Sequence, residues 1–342
     1  MYSNNIRVEG IKTGHVQGIA TDRERKFMYY SFTTSFIKTD MHGNIIGSVK
    51  GLAGHLGCIA YNDEDGRVYG SLEYKHDAIG KEILRRLGDG TEVEDGWYIA
   101  IFDVDKIDRM DMDAEKDGVM TAVYLDEIIR DYSVSKYGCA GLDGLTFAPM
   151  PGDVDGKKYL YAAYGIYNDI SRGDNDYQII LRYDIDGWKS YEAPLNQKCM
   201  HRKGPAAPDS KYFVYTGNTD WGVQNLEYDP CTGYMLMAVY PGKKESFPNY
   251  PMYAVDMRKA PAVEKHKALE EEISTLALAA LGQMDEKSKV WGLHFPYGST
   301  GMISLRDGYF YFSQDFGNEN GWGTNVALYQ FREGEEFLQV NE

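Results

Sequence analysis

At 342 residues with 43% apolar side chains, the chain can bury a large core inside one all-β domain. Its 52 acidic against 36 basic residues leave a net charge of −16, a field that repels nucleic acid and anionic membrane surfaces and tolerates neutral or cationic ligands. No apolar leader segment opens the chain, and no run approaches the roughly twenty apolar residues of a membrane span. A soluble, cytoplasmic protein is therefore the preferred expectation, with secretion open if a leader has been removed. The four cysteines, Cys58, Cys139, Cys199 and Cys231, lie far apart without a C-x-x-C pair, which speaks against a zinc ribbon or a disulfide framework.

Gly14-His15-Val16-Gln17-Gly18-Ile19-Ala20 returns as Gly54-His55-Leu56-Gly57-Cys58-Ile59-Ala60, and looser copies start at Gly141, Gly222 and Gly298. Each start leads to a polar turn, at 22–26, 62–66, 151–158, 229–233 and 306–308. Tyr-rich apolar runs follow from Phe27, Val68, Tyr159, Tyr234 and Tyr309. Third runs begin at Ser35, Trp97, Gln178, Met252 and Asn325, and fourth runs at Ile45, Met120, Lys211, Lys289 and Glu336. Short apolar runs with aromatic and β-branched residues between Asp and Gly turns read as buried strands joined in hairpins. Five units of four antiparallel strands predict a five-bladed β-propeller, one domain over 1–342.

Val8-Glu9-Gly10-Ile11 is similar to Val49-Lys50-Gly51-Leu52, so the two termini are expected to meet in one blade and fasten the ring. In blade 4, Pro261, Gly282 and the spacing of Leu269, Ile273 and Leu276 predict a helical insertion over 258–287. The acidic stretch 113–118 reads as a solvated turn, because Tyr124 stands where a calcium loop needs a bidentate Glu.

Strand order places the starts of the first strands and the ends of the second strands at one mouth of the axis, together with the long loops 73–96, 165–177, 241–251 and 315–323. Binding chemistry concentrates on such loops. Aligning the units gathers His15, His55, Gln17, Gln224 and Asp143 from the first strands, and Glu73 and Asp315 from the ends of the second. Around them Lys75, Asp220, Trp221, Tyr297 and Gln314 are candidate ligand-binding residues. His15 and His55, with His294 from a joining loop, are candidate ligands for a divalent Zn, Mn or Ni ion, since imidazole and carboxylate suit these metals. Ordered water along a polar propeller axis accounts for the same columns without a ligand. The 28 Tyr and 5 Trp, set beside hydrogen-bonding loop residues, point to a sugar-like small-molecule partner. No phosphate loop, dinucleotide fingerprint or nucleophile elbow is present.

The repeated Gly-His start, with Gly70-Ser71-Leu72-Glu73-Tyr74-Lys75-His76-Asp77-Ala78-Ile79-Gly80, resembles a group of uncharacterised bacterial propeller proteins over nearly the whole chain. The ring of five blades also resembles that of five-bladed glycosidases, which place axial carboxylates as acid, base and orienting group. That resemblance implies Glu73 as acid and Asp315 or Asp143 as base. His15 and Gln17 stand where those families present an Asp. Three readings follow: a carbohydrate-binding or hydrolysing propeller, a metal-assisted lyase or hydrolase using axial His, and a non-enzymatic interaction scaffold.

Overall fold

Runs such as Arg67–Tyr74 and Gly96–Phe102 form strands with almost every side chain buried. Continuous apolar runs of this kind belong to strands covered on both faces. The covering layers are neighbouring blades. The computed structural model describes residues 2–87, 92–133, 139–167, 169–332 and 337–340, and its five main antiparallel sheets form a five-bladed β-propeller.

Blade 1 runs Val16–Thr21, Phe27–Phe32, Ser35–Asp40 and Ile45–Lys50, and blade 2 runs His55–Asn62, Arg67–Tyr74, Gly96–Phe102 and Met120–Tyr124. Blade 3 contains Cys139–Met150, Asp153–Ile166, Tyr177–Tyr183 and Ser210–Tyr215. Blade 4 contains Thr219–Asp229, Tyr234–Pro241 and Met252–Asp256. The first strands pack side by side in ring order, with that of blade 5, Met302–Ser304, closing onto that of blade 1. The described buried apolar residues fall into five clusters, one at each blade junction. At the first junction Phe36 stacks on Phe102, with ring centroids 4.3 Å apart.

The termini meet as expected. Asn5–Ile11 supplies the outer strand of blade 5 by pairing with Gly321–Gln330, and Leu338–Gln339 pairs with the end of that same strand. Because the outer strand is far in sequence from the three it joins, unravelling the ring requires losing this pairing. Across the axis, the Asn225 side-chain amide donates to the carbonyls of Gln17 (2.8 Å) and Ser299 (3.0 Å). Cys58 and Cys139 are buried, while Cys199 and Cys231 are exposed, and all four are free thiols.

The expected helical insertion at 258–287 is not helical. Ala262–Lys265 and Glu272–Thr275 form a hairpin, and the second of these strands adds in parallel to Ser210–Tyr215 of blade 3. Ile273 and Thr275 alternate with more exposed neighbours, a period of two set by the edge they cover. An exposed strand edge offers unpaired backbone groups, and pairing there outweighs helix propensity. The fourth strand expected at Lys289–Leu293 is likewise reduced to a short pairing of Trp291–Gly292 with Gln283–Met284 and a single bridge from Leu293 to Met252.

The described helices lie elsewhere: α1, Ala78–Leu87, and α2, Asp126–Ser133. Helix α1 occupies part of the long loop of blade 2. The Asp77 carboxylate accepts the Gly80 N–H at 2.9 Å, capping its first turn.

Candidate functional site

In four of the five first strands the ladder to the second strand slips by one residue at the same height. The breaks fall between Val16 and Gly18, Leu56 and Ile59, Leu142 and Gly144, and Val223 and Asn225. A β-bulge leaves its extra residue out of the ladder and re-aims the side chain. Gln17, Asp143 and Gln224 are those residues, and all three line one cavity of about 490 Å³ at the end of the axis.

His55 and Glu73 reach the same cavity as a cross-strand pair in blade 2. The Glu73 carboxylate is held from three sides. Its Oε2 accepts the Leu142 N–H (2.9 Å) and the Trp97 indole N–H (3.2 Å), and its Oε1 pairs with Lys75 Nζ at 2.7 Å. Lys75 also pairs with Asp77 at 3.2 Å. Burial disfavours the Lys75 ammonium, yet the Glu73 and Asp77 carboxylates hold it above the ordinary lysine range.

The remaining floor is not bonded in this way. His55 Nδ1 lies 3.6 Å from Glu73 Oε1 and 3.5 Å from Asp143 Oδ1, without a hydrogen bond to either. Asp143 Oδ1 and Ser71 Oγ are also buried without partners. Burial lowers His55 to about 4, so its imidazole is neutral at physiological pH. Burial, reinforced by the Glu73 charge, raises Asp143 well above the usual carboxylate range. His55, Glu73 and Asp143 each offer a ligand atom within 4.8 Å of the others, the one such group of three His, Cys, Asp or Glu among the described residues.

Two glycines let the floor groups pack directly against the backbone. A Cβ on Gly57 would lie 2.4 Å from Asp143 Oδ1 and 2.5 Å from Ser71 Oγ, and one on Gly141 would lie 3.1 Å from Asp143 Oδ2. The walls above are aromatic and aliphatic. Trp221 and Trp322 stand at the rim, 42% and 37% exposed, and Ile79 and Ile83 of α1 face the cavity beside Glu82 and Arg86. His15 packs against Trp322, with ring centroids 5.6 Å apart, and shares a 3.1 Å contact with the Gln17 amide. Burial lowers the His15 pKa, and the nearby Asp315 charge partly opposes this.

Of the residues singled out in the sequence, His15, Gln17, His55, Glu73, Lys75, Asp143, Trp221 and Gln224 line the cavity together. The others stand outside its lining. Asp315 is exposed on the blade 5 hairpin, and the neighbouring Gln314 donates to the Tyr329 hydroxyl at 3.0 Å. Asp220 pairs with Lys243 at 3.2 Å, and Tyr297 packs on Phe295. His294 is exposed against the Tyr250 ring and does not join His15 and His55. Sequence reasoning passed over α1 as a wall. Its signal was present in the Asp77 cap and the i, i+4 spacing of Ile79 and Ile83.

No protein-family model matches the chain, and no curated protein sequence does. Among solved structures it is similar to Kuenenia stuttgartiensis hydrazine synthase, at 10% identity and a TM-score of 0.34, over 96% of this chain and 67% of that one. It is also similar to the Dos1 propeller, at 10% identity and a TM-score of 0.33, over 96% of this chain and 59% of that one. A third is the β-propeller domain of Myceliophteria thermophila Cps50 (Swd1), at 8% identity and a TM-score of 0.30, over 93% and 97%. At these levels no activity passes from any of them to this chain.

Proposed function

We propose that the axial cavity binds a small hydroxyl-bearing ligand of the carbohydrate class, neutral or cationic. Its apolar face would lie against Trp221 and Trp322, with its hydroxyls toward Gln17, His55, Asp143 and Gln224. Trp221 carries this reading. Its backbone is left-handed, at φ 64°, while its indole stays 42% exposed at the rim. A bulky residue held at positive φ costs on the order of 1–3 kcal/mol and persists where the surroundings impose it, commonly at ligand sites. An indole face above a polar floor supplies the two surfaces that a sugar ring presents.

The net charge of −16 and the carboxylates of the floor disfavour anionic ligands. The reading assigns Glu73 to the framework of the floor rather than to proton transfer, because its oxygens already accept from Leu142, Trp97 and Lys75. The test is a titration of tryptophan fluorescence with neutral and amino sugars at millimolar concentration. The parent is expected to respond, and Trp221→Ala to weaken binding about tenfold or more, equivalent to ~1.4 kcal/mol. No response from the parent to any sugar, or an undiminished response from Trp221→Ala, would sink the reading.

A further inference from the structure

The geometry points to a divalent metal centre at the floor of the axial cavity, ligated by His55 Nδ1, Glu73 Oε1 and Asp143 Oδ1. Metal–ligand bonds of about 2.0–2.2 Å at tetrahedral angles separate neighbouring ligand atoms by about 3.4 Å. The His55 Nδ1 distances to Glu73 Oε1 and Asp143 Oδ1 are 3.6 Å and 3.5 Å. They fit the edges of a coordination shell, and neither is a hydrogen bond. His55 is 8% exposed, Glu73 3% and Asp143 6%, so water has little access to the unpartnered atoms. Buried polar atoms left unpaired cost roughly 1–3 kcal/mol each, which a bound cation would offset.

Charge and the close approach allowed by glycine agree with this placement. Glu73 and Asp77 pair with one ammonium, Lys75, and with Asp143 deprotonated on metal binding the three carboxylates leave two negative charges for a dication to balance. Gly57 lets Asp143 Oδ1 and Ser71 Oγ sit close against the backbone, where any side chain would push them away. Metal-binding carboxylates are themselves steadied by outer hydrogen bonds. Glu73 has that support from Trp97, the Leu142 N–H and Lys75. One imidazole with two carboxylates is a mixed nitrogen and oxygen set, which suits a first-row ion of the Mn²⁺ to Zn²⁺ range better than Ca²⁺ or Mg²⁺. Three protein ligands leave a position open to the cavity, where a ligand hydroxyl or water would complete the shell. That last step rests on the carbohydrate reading; the ligation by His55, Glu73 and Asp143 does not.

The experiment uses the full chain, stripped with chelator, dialysed and titrated with Mn²⁺ by electron paramagnetic resonance, and with Zn²⁺ followed by elemental analysis. One equivalent is expected to bind the parent. His55→Ala and Asp143→Asn are expected to weaken it at least tenfold while melting cooperatively, and Asp143→Asn tests the site without emptying its volume. Glu227→Gln, at the other end of the axis, is expected to bind as the parent does. Sub-stoichiometric binding by the parent, or unchanged binding by both folded floor variants, overturns the inference. Trp221→Ala separates the two proposals, since it is expected to keep the metal and lose the sugar. Sugar binding by a parent that takes no metal would leave the carbohydrate reading standing and remove the metal.

Discussion

The two ends of the propeller axis are built from the same five blades, yet they satisfy their charges in opposite ways. At the end formed by hairpin turns, a cavity of about 590 Å³ is spanned by Asp63, whose Oδ2 takes Arg306 at 2.5 Å and Lys158 at 3.3 Å from two other blades. Beneath it the Glu227 carboxylate accepts the Ser304 N–H at 2.8 Å and the Thr146 hydroxyl at 3.4 Å. Asp63 Oδ1 is the only side-chain polar atom recorded as buried without a partner among the described residues lining that end. At the other end His55 Nδ1 and Asp143 Oδ1 are left unpaired on a floor that packs directly against Gly57 and Gly141. A mouth whose ions cross-link blades reads as stability. One whose buried groups converge without bonding reads as a place for something else to bind.

The largest test of that contrast is Glu73→Ala, which takes from Lys75, an ammonium 4% exposed, the closer of its two carboxylates and leaves it only Asp77 at 3.2 Å. Breaking a buried pair from one side is expected to cost about 3–5 kcal/mol in chemical denaturation. A loss below about 1 kcal/mol would equate the buried pair with a surface one and remove the distinction between the mouths.

Next comes the pH dependence of Glu227. It faces the cavity on one side but is enclosed by protein on the others, and this desolvation pushes it up to about 7 from 4.5, against the pull of the Ser304 N–H and Arg306. Its folded pKa is the higher one, so the stability it contributes is full below about pH 4.5 and is lost as pH rises through about 7. Thermal melts of Glu227→Gln should lack this decline, on the order of 3 kcal/mol across that window. An identical pH slope in parent and variant would place the titration elsewhere.

The smallest effect belongs to Asp63→Asn. Its partner Arg306 is exposed, so the loss should stay below about 1 kcal/mol and shrink further in high salt. A salt-insensitive loss of several kcal/mol would instead make this strap as deeply buried in effect as the Glu73–Lys75 pair.

Much of the fold was legible because it is local and repeated. The Gly-His starts, the Asp and Gly turns and the Tyr-rich second runs recur at each blade, and the resulting columns placed Gln17, Asp143 and Gln224 at one height of the axis. The insertion in blade 4 was misread because Leu269, Ile273 and Leu276 are compatible with a helix in isolation. The edge of Ser210–Tyr215, about sixty residues away in sequence, made Glu272–Thr275 a strand. His294 was grouped with His15 and His55 by residue type alone, and its ring packs on Tyr250 instead.

By itself the sequence determined the number of blades, the pairing of the two termini and the acidic, aromatic character of the chain, since periodicity, turn chemistry and composition are carried by neighbouring residues. The tertiary structure decided which polar residues meet. Bulges at matching heights turn Gln17, Asp143 and Gln224 onto the axis, and Trp97 and the Leu142 N–H fix Glu73. Packing then leaves His55 Nδ1 and Asp143 Oδ1 facing each other unbonded. Side-chain direction at a bulge and satisfaction of a buried polar atom depend on partners from other blades, and no local pattern in the chain encodes them.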